Sequence, residues 1–213
     1  MTKKLGFSLA LSFLLLILVL GWDLDAFTYR LLTTLVDTGT EINEAILPPE
    51  NQSTSHQVFW RGDIESIDLK ESSGLASSTR RKGILWSIND SGSEPEIFAL
   101  SESGTHLGKW SVAGVESVDW EGMDSFKANE RHYLLIGDTG DNFRAREEVS
   151  FLVLEEPLLD QVGREVNVSW QTKFEFPDGP KDVEAVAVDL QGKRAIFLNK
   201  RELPLRLYGV PLF

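Results

Sequence analysis

The chain has 213 residues, of which 33 are acidic and 21 are basic, so its formal net charge is -12 at pH 7. This acidity predicts that the protein does not bind nucleic acid, because phosphate binding requires a basic surface. The absence of cysteine excludes disulfides, cysteine-ligated zinc and thiol nucleophiles.

The first 22 residues are predicted to be a signal anchor. Lys3 and Lys4 precede an uncharged apolar run, Leu5 to Trp22, which is close to the length needed to cross a bilayer. The lysines should stay inside and the following acidic residues should emerge outside. The prediction is therefore a single-pass protein with its N-terminus inside, which faces the periplasm or the cell exterior. A signal peptide cleaved after Gly21, giving a secreted protein, is the alternative.

Residues 23–57 are predicted to be a juxtamembrane helix followed by a linker. Apolar residues recur with helical spacing up to Ile46, and the stretch PPENQSTSHQ from Pro48 to Gln57 has the composition of a linker. The ordered domain is then expected to occupy residues 58–213.

From Val58 onward, short apolar runs end at turn residues, and no long helical stripe interrupts them. This pattern is typical of an all-β fold. The runs predicted as strands are residues 84–88, 96–100, 132–137, 149–155, 168–176, 185–190, 194–198 and 206–212.

The runs repeat about three times as a larger unit. The stretches ESSGLAS, DWEGMDS and DVEAVAV, which begin at Glu71, Asp119 and Asp182, each precede a strand, a polar loop and a further strand. Gly74 and Gly122 are 48 residues apart, within the roughly 40–50 residues of a propeller blade, and the 63 residues from Gly122 to Ala185 leave room for an insertion around 158–180. This favours stacked modules over a single sandwich, which remains the alternative. Tryptophans recurring through this region are predicted to pack between the modules.

At these repeats the chain resembles bacterial extracytoplasmic six-bladed β-propellers, including calcium-dependent phytase-like and NHL-like proteins. The stretches that carry the resemblance are DWEGMDSF (119–126), LLIGDTGDNFRAR (134–146), FPDGPKDVEAVAVD (176–189) and FLNKR (197–201). The resemblance implies a β-propeller-like domain that is a partial copy, because only about three blades are visible. Such a chain is either a fragment of a longer propeller or a half that pairs with another.

Carboxylates in the repeated turns are candidate calcium ligands. Calcium prefers six to eight oxygen ligands and tolerates irregular loops. The metal-ligand candidates are Glu121, Asp138, Asp141, Asn142 and Glu184. The alternative is that Asp138, Asp141 and Asn142 only accept hydrogen bonds from turn amides. The triplet Asp-Thr-Gly, which carries the catalytic carboxylate of aspartic proteases, occurs at Asp37 and at Asp138. An aspartic protease needs both triplets on loops between strands, and Asp37 lacks flanking strands, so this activity is not expected.

Three basic residues near these turns, Arg144, Lys200 and Arg201, are candidates for binding a phosphate or carboxylate group, or for pairing with the acids. The expected function is binding or scaffolding at the cell envelope, by a membrane-tethered domain that calcium stabilises and whose partner is an unknown protein or small molecule. The alternative is a calcium-dependent phosphoester hydrolase similar to phytases.

Overall fold

A computed structural model describes residues 58–213, and within them the fold is all-β, as predicted. These residues contain no α-helix, and their one helical element is a 3₁₀ turn at Leu159–Gln161. The predictions for residues 1–22 and 23–57 lie outside the described residues. The strands are β1 (Ser72–Ser77), β2 (Ile84–Asn89), β3 (Glu96–Ser101), β4 (His106–Ala113), β5 (Trp120–Ala128), β6 (Arg131–Asp138), β7 (Val149–Glu155), β8 (Glu165–Phe174), β9 (Val183–Asp189), β10 (Arg194–Asn199) and β11 (Leu207–Pro211).

The strands form three antiparallel meanders in chain order. The first meander is β1–β4, the second is β5–β8 and the third is β9–β11, and each strand pairs with the next one along the chain. The first strands of the three meanders lie side by side, with β5 between β1 and β9. This arrangement brings the three repeated sequence turns to one region of the molecule.

The first two meanders join into one nearly closed, barrel-like sheet of eight strands. Their last strands, β4 and β8, pair in parallel, with Ser111 opposite Glu165 and Ala113 opposite Asn167. At the other edge β1 lies against β5, where the Ser73 hydroxyl donates to the carbonyl oxygen of Trp120 at 2.7 Å. The hydrophobic core between the two meanders includes Trp86, Trp110 and Trp120.

The third meander packs against the opposite face of the second meander. That second core contains Leu135, Phe151 and Val153 from the second meander and Phe197 and Val210 from the third. The second meander is therefore covered on both faces. This explains why β7 reads VSFLVLE, a nearly continuous apolar run, because neither set of alternating side chains meets solvent.

Each of the eight predicted strand segments overlaps one observed strand, but β1, β4 and β5 were not predicted as strands. The sequences of β1 and β5, SSGLAS and WEGMDSFKA, were interpreted as turns that start a module. They are strands because backbone pairing with β2 and β6, and close packing at Gly74 and Gly122, replace the apolar side chains that usually mark a strand.

Candidate functional site

Carboxylate side chains gather where the first strands of the meanders begin. Oxygen atoms of Asp90, Asp119 and Glu121 lie within 4.8 Å of one another, and so do those of Glu121, Asp182 and Glu184. Glu121 belongs to both groups. We call the five residues the carboxylate cluster. The adjacency of β1, β5 and β9 produces the cluster, because the turns of successive meanders meet at one end of these strands.

Two members of the carboxylate cluster carry buried oxygen atoms that no hydrogen bond satisfies within the described part of the chain. These atoms are Oδ1 of Asp119 and Oδ2 of Asp182. Asp182 is only 2% exposed, and its other oxygen accepts the backbone N–H of Asp141 at 3.1 Å. The nearest basic group, Nε of Arg201, is 3.7 Å from Oδ2, beyond hydrogen-bonding distance. A buried carboxyl oxygen without a hydrogen-bond partner is costly, so this position favours a positively charged ligand.

The electrostatics of the cluster favour protonation when no cation is bound. Burial, followed by the charges of Asp90, Asp119 and Asp182, raises the pKa of Glu121 to about 7. Burial and the neighbouring charge of Asp90 also raise the pKa of Asp119. Like charges that lie close together in a desolvated site raise one another's pKa, because each ionised carboxylate disfavours ionisation of the next.

Asp138 and Asp141 lie beside the cluster but belong to neither of its two groups. Asp138 accepts the backbone N–H of Asp119 at 3.0 Å and forms an ion pair with Arg146 at 3.0 Å. The carboxylate of Asp141 accepts the backbone N–H groups of Ala145 and Arg146 at 2.9 and 2.8 Å. Both side chains therefore stabilise the loop that follows β6.

Asn142 and Arg144 lie on the exposed side of the same loop. The side-chain oxygen of Asn142 accepts a hydrogen bond from Arg201 at 2.8 Å. Arg144 forms an ion pair with Glu202 at 3.0 Å. The loop after β6 and the loop after β10 are thus linked through the basic side chains that the sequence marked as candidate ligand-binding groups.

Lys200 and Arg201 reach the cluster itself. The ammonium group of Lys200 contacts the carboxylate of Glu184, and its backbone N–H donates to the carbonyl oxygen of Asp182 at 2.8 Å. Of the predicted site residues, the structure therefore brings together Glu121, Glu184, Lys200 and Arg201.

The sequence Asp138-Thr139-Gly140 fixes one wall of the cluster. Thr139 donates its hydroxyl to the carbonyl oxygen of Val183 at 2.9 Å and accepts the Val183 N–H at its own carbonyl at 3.3 Å. The N–H of Gly140 donates to the carbonyl oxygen of Asp119 at 3.1 Å. The triplet thereby connects the starts of β5 and β9, the strands on which Glu121 and Glu184 lie.

Three members of the cluster, Asp90, Asp119 and Asp182, were not predicted as site residues. Asp119 and Asp182 stand two positions before Glu121 and Glu184 in the repeated acid-x-Glu pattern, so the repeat itself carried the signal. Asp90 follows β2, and its position beside β5 depends on the packing of two meanders. No local sequence pattern marks it.

The raised pKa of Glu121 predicts that the metal-free protein loses stability as the pH rises through the range from about 4.5 to about 7. In that range the folded state retains a proton that the unfolded state has released, so raising the pH favours unfolding. The expected loss is on the order of 1–2 kcal/mol, less than the full linkage value because water screens part of the interaction.

Glu121→Gln provides the matched control, because it removes the titration and keeps the shape of the side chain. Chemical denaturation of both proteins in EDTA, across the same pH values, measures the difference between the two profiles. The difference in stability should change with pH only between the unfolded and folded pKa of Glu121. Parallel profiles would contradict the raised pKa.

Residues 58–213 include no helix with the length and hydropathy required to traverse a bilayer. When the chain is compared with models of known protein families and with curated proteins, it matches none of them.

Proposed function

We propose that residues 58–213 are a β-propeller-like binding or scaffolding domain, which a cation stabilises and which residues 1–22 tether to the outer side of a membrane. Three meanders that begin with related acidic turns and place their first strands side by side support the propeller-like description. The basic residues Lys3 and Lys4 before an apolar run support the tether.

The observation that carries the cation proposal is the buried, unsatisfied Oδ2 of Asp182 between neighbouring carboxylates. The donors around it are carboxylate oxygens, which suit a hard cation such as calcium. Glu121, Asp182 and Glu184 would hold one ion. Asp90 and Asp119 provide further oxygen atoms nearby, because they form the second group of carboxylates to which Glu121 belongs. Lys200 and Arg201 only partly offset the five carboxylates, and bound calcium would add further positive charge.

The experiment is a calcium titration of the full chain, purified in mild detergent and stripped with EDTA. At ten times the dissociation constant, binding adds roughly 1.4 kcal/mol to the free energy of unfolding, which corresponds to a rise of roughly 3–6 °C in melting temperature. Asp182→Asn should abolish most of the rise. Asp160→Asn, at an exposed position in the 3₁₀ turn, is the matched control and should keep it.

An unchanged melting temperature in calcium and in EDTA would reject the cation site. A rise that Asp182→Asn leaves intact would place the ion elsewhere in the chain. Magnesium in a parallel titration tests selectivity, since its stricter octahedral geometry fits an irregular carboxylate cluster less well than calcium does.

A calcium-dependent phosphoester hydrolase is the second candidate, favoured by the two basic side chains that reach the cluster. Lys200 and Arg201 lie beside Glu184 and Asp182, where they can bind the oxygens of a phosphate group. Calcium at the cluster would polarise the phosphate and lower the pKa of a water molecule. With calcium bound, its positive charge would favour the ionised form of Glu121, and this carboxylate would then accept a proton from that water.

Hydrolysis of a panel of phosphomonoesters, with calcium and with EDTA, separates the two functions. The hydrolase proposal expects calcium-dependent turnover that Glu121→Gln lowers by about 10²-fold or more. Arg81→Gln, at an exposed residue in the turn between β1 and β2, is the control and should not change the rate. Absence of turnover alongside a calcium-dependent melting temperature would leave the binding and scaffolding proposal in place.

A further inference from the structure

The third meander presents an apolar face that no other described strand covers. The pairs Ala185–Leu198, Ala187–Ile196 and Leu198–Leu207 are cross-strand partners and therefore share one face. On this face Ala185 and Ala187 are exposed, and Leu207 is 70% exposed. The opposite face carries Phe197 and Val210, which are buried against the second meander. We call the exposed side the forward face.

The corresponding faces of the first two meanders are covered by a repeated contact. A Cβ built at Gly74 would lie 3.0 Å from the side chain of Met123, and one built at Gly122 would lie 3.0 Å from the side chain of Val186. Each contact joins a small residue of one meander to a larger apolar residue of the next. The first strands of the second and third meanders share a pattern in which the larger apolar residue directly follows the small one: Met123 follows Gly122, and Val186 follows Ala185.

One small residue and one larger apolar residue of this pattern have no partner among the described strands. Ala185 is the small residue of the third meander, and its forward side is exposed. Leu75, which directly follows Gly74, holds the position in the first meander that Met123 and Val186 hold in the other two. Leu75 is 61% exposed and lies on the side of the first meander that faces away from the second.

We propose that the forward face binds a second copy of this chain, with Leu75 of each copy packed against Ala185 of the other. The contact continues the established interfaces between meanders and uses surfaces that one chain already supplies. Two such contacts related by a two-fold axis close a ring of six meanders, whereas the same contact without closure would produce an open filament. The apolar forward face, which a soluble domain would not leave exposed, is then buried.

Disulfide trapping tests the contact directly, because the natural chain contains no cysteine. The double variant Leu75→Cys with Ala185→Cys, oxidised as the full chain in mild detergent, is expected to migrate as a covalent dimer without reducing agent. Leu75 and Ala185 lie on the first and third meanders, which pack on opposite faces of the second, so we expect no bond between them within one folded copy. A mixture of the two single variants should give the same dimer.

Two controls keep the experiment decisive. Leu75→Cys combined with Arg164→Cys, an exposed position outside the contact, should remain monomeric on the gel. Ala185→Glu should abolish the dimer in sedimentation analysis while circular dichroism shows a folded protein, because Ala185 is exposed in the single copy. A monomer in all variants, or a ladder of higher oligomers, would overturn the closed pair. These outcomes do not depend on calcium, so they also separate this proposal from the cation site.

Discussion

Trp86→Ala is expected to lower the free energy of unfolding by about 3–5 kcal/mol, the range for removing a large aromatic side chain from a core. Trp86 is 1% exposed and lies between the first and second meanders. Its ring centroid is 5.2 Å from that of Trp110, at an interplanar angle of 59°. The substitution leaves a cavity that the surrounding strands, fixed by pairing on both sides, cannot close.

A polar contact adds to this effect. Nε1 of Trp86 donates to Oε1 of Glu156 at 3.1 Å, and Glu156 is only 3% exposed. The same carboxylate accepts from Ser78 and Thr79, so it connects the loop after β1 to the end of β7. Trp86→Phe removes the donor and keeps most of the apolar volume, and we expect it to cost about 1–3 kcal/mol.

Urea denaturation followed by circular dichroism measures both variants without relying on tryptophan fluorescence. Trp60→Ala is the matched control, since Trp60 is 79% exposed and its removal should change stability by about 0.5 kcal/mol or less. Equal losses for Trp60→Ala and Trp86→Ala would contradict the assignment of Trp86 to the core. The recurring tryptophans therefore have unequal roles, which their spacing in the sequence did not distinguish.

The sequence predicted the all-β fold because most strands carry apolar runs that end at turn residues. β7 and β10 are examples, since burial on at least one face requires apolar side chains. β4, HLGKWSVA, was missed because its alternation is weak and one of its partners, β8, follows far along the chain. Parallel pairing of distant strands leaves little local signal, so the nearly closed eight-stranded sheet was not predictable.

The sequence repeat predicted part of the site, because equivalent residues of adjacent repeats lie close together in the fold. Glu121 and Glu184 hold equivalent positions on β5 and β9, so adjacent meanders bring them together. Asp138 ends β6 and Asp141 follows it in the same region, but their oxygens bind backbone N–H groups and Arg146. Composition alone cannot determine whether a turn carboxylate faces a neighbouring turn or its own backbone, because both arrangements place acids beside a small residue, glycine or alanine.

Gly140→Ala is expected to lower the free energy of unfolding by about 2–3 kcal/mol, at the upper end for inserting one carbon into a packed site. A Cβ at Gly140 would overlap the carboxyl group of Asp119 and lie 2.8 Å from its Oδ1. The atom in the way belongs to a half-buried side chain beside other carboxylates, so it cannot rotate freely into solvent. Either Asp119 or the loop must move, which weakens the hydrogen bond from Gly140 N–H to the Asp119 carbonyl.

Gly209→Ala is the matched control, because a Cβ there would lie 3.2 Å from Cδ of Arg194, part of a flexible and exposed side chain. That variant should change stability by about 0.5 kcal/mol or less. Urea denaturation in EDTA compares the two variants, and repetition in calcium tests the site, because displacement of Asp119 should also weaken the calcium response. If Gly140→Ala is as stable as Gly209→Ala and retains the full response, then the Asp-Thr-Gly loop does not position the carboxylate cluster. If stability falls but the calcium response is unchanged, the loop supports the fold while Asp119 contributes no ligand, and Glu121, Asp182 and Glu184 form the site by themselves.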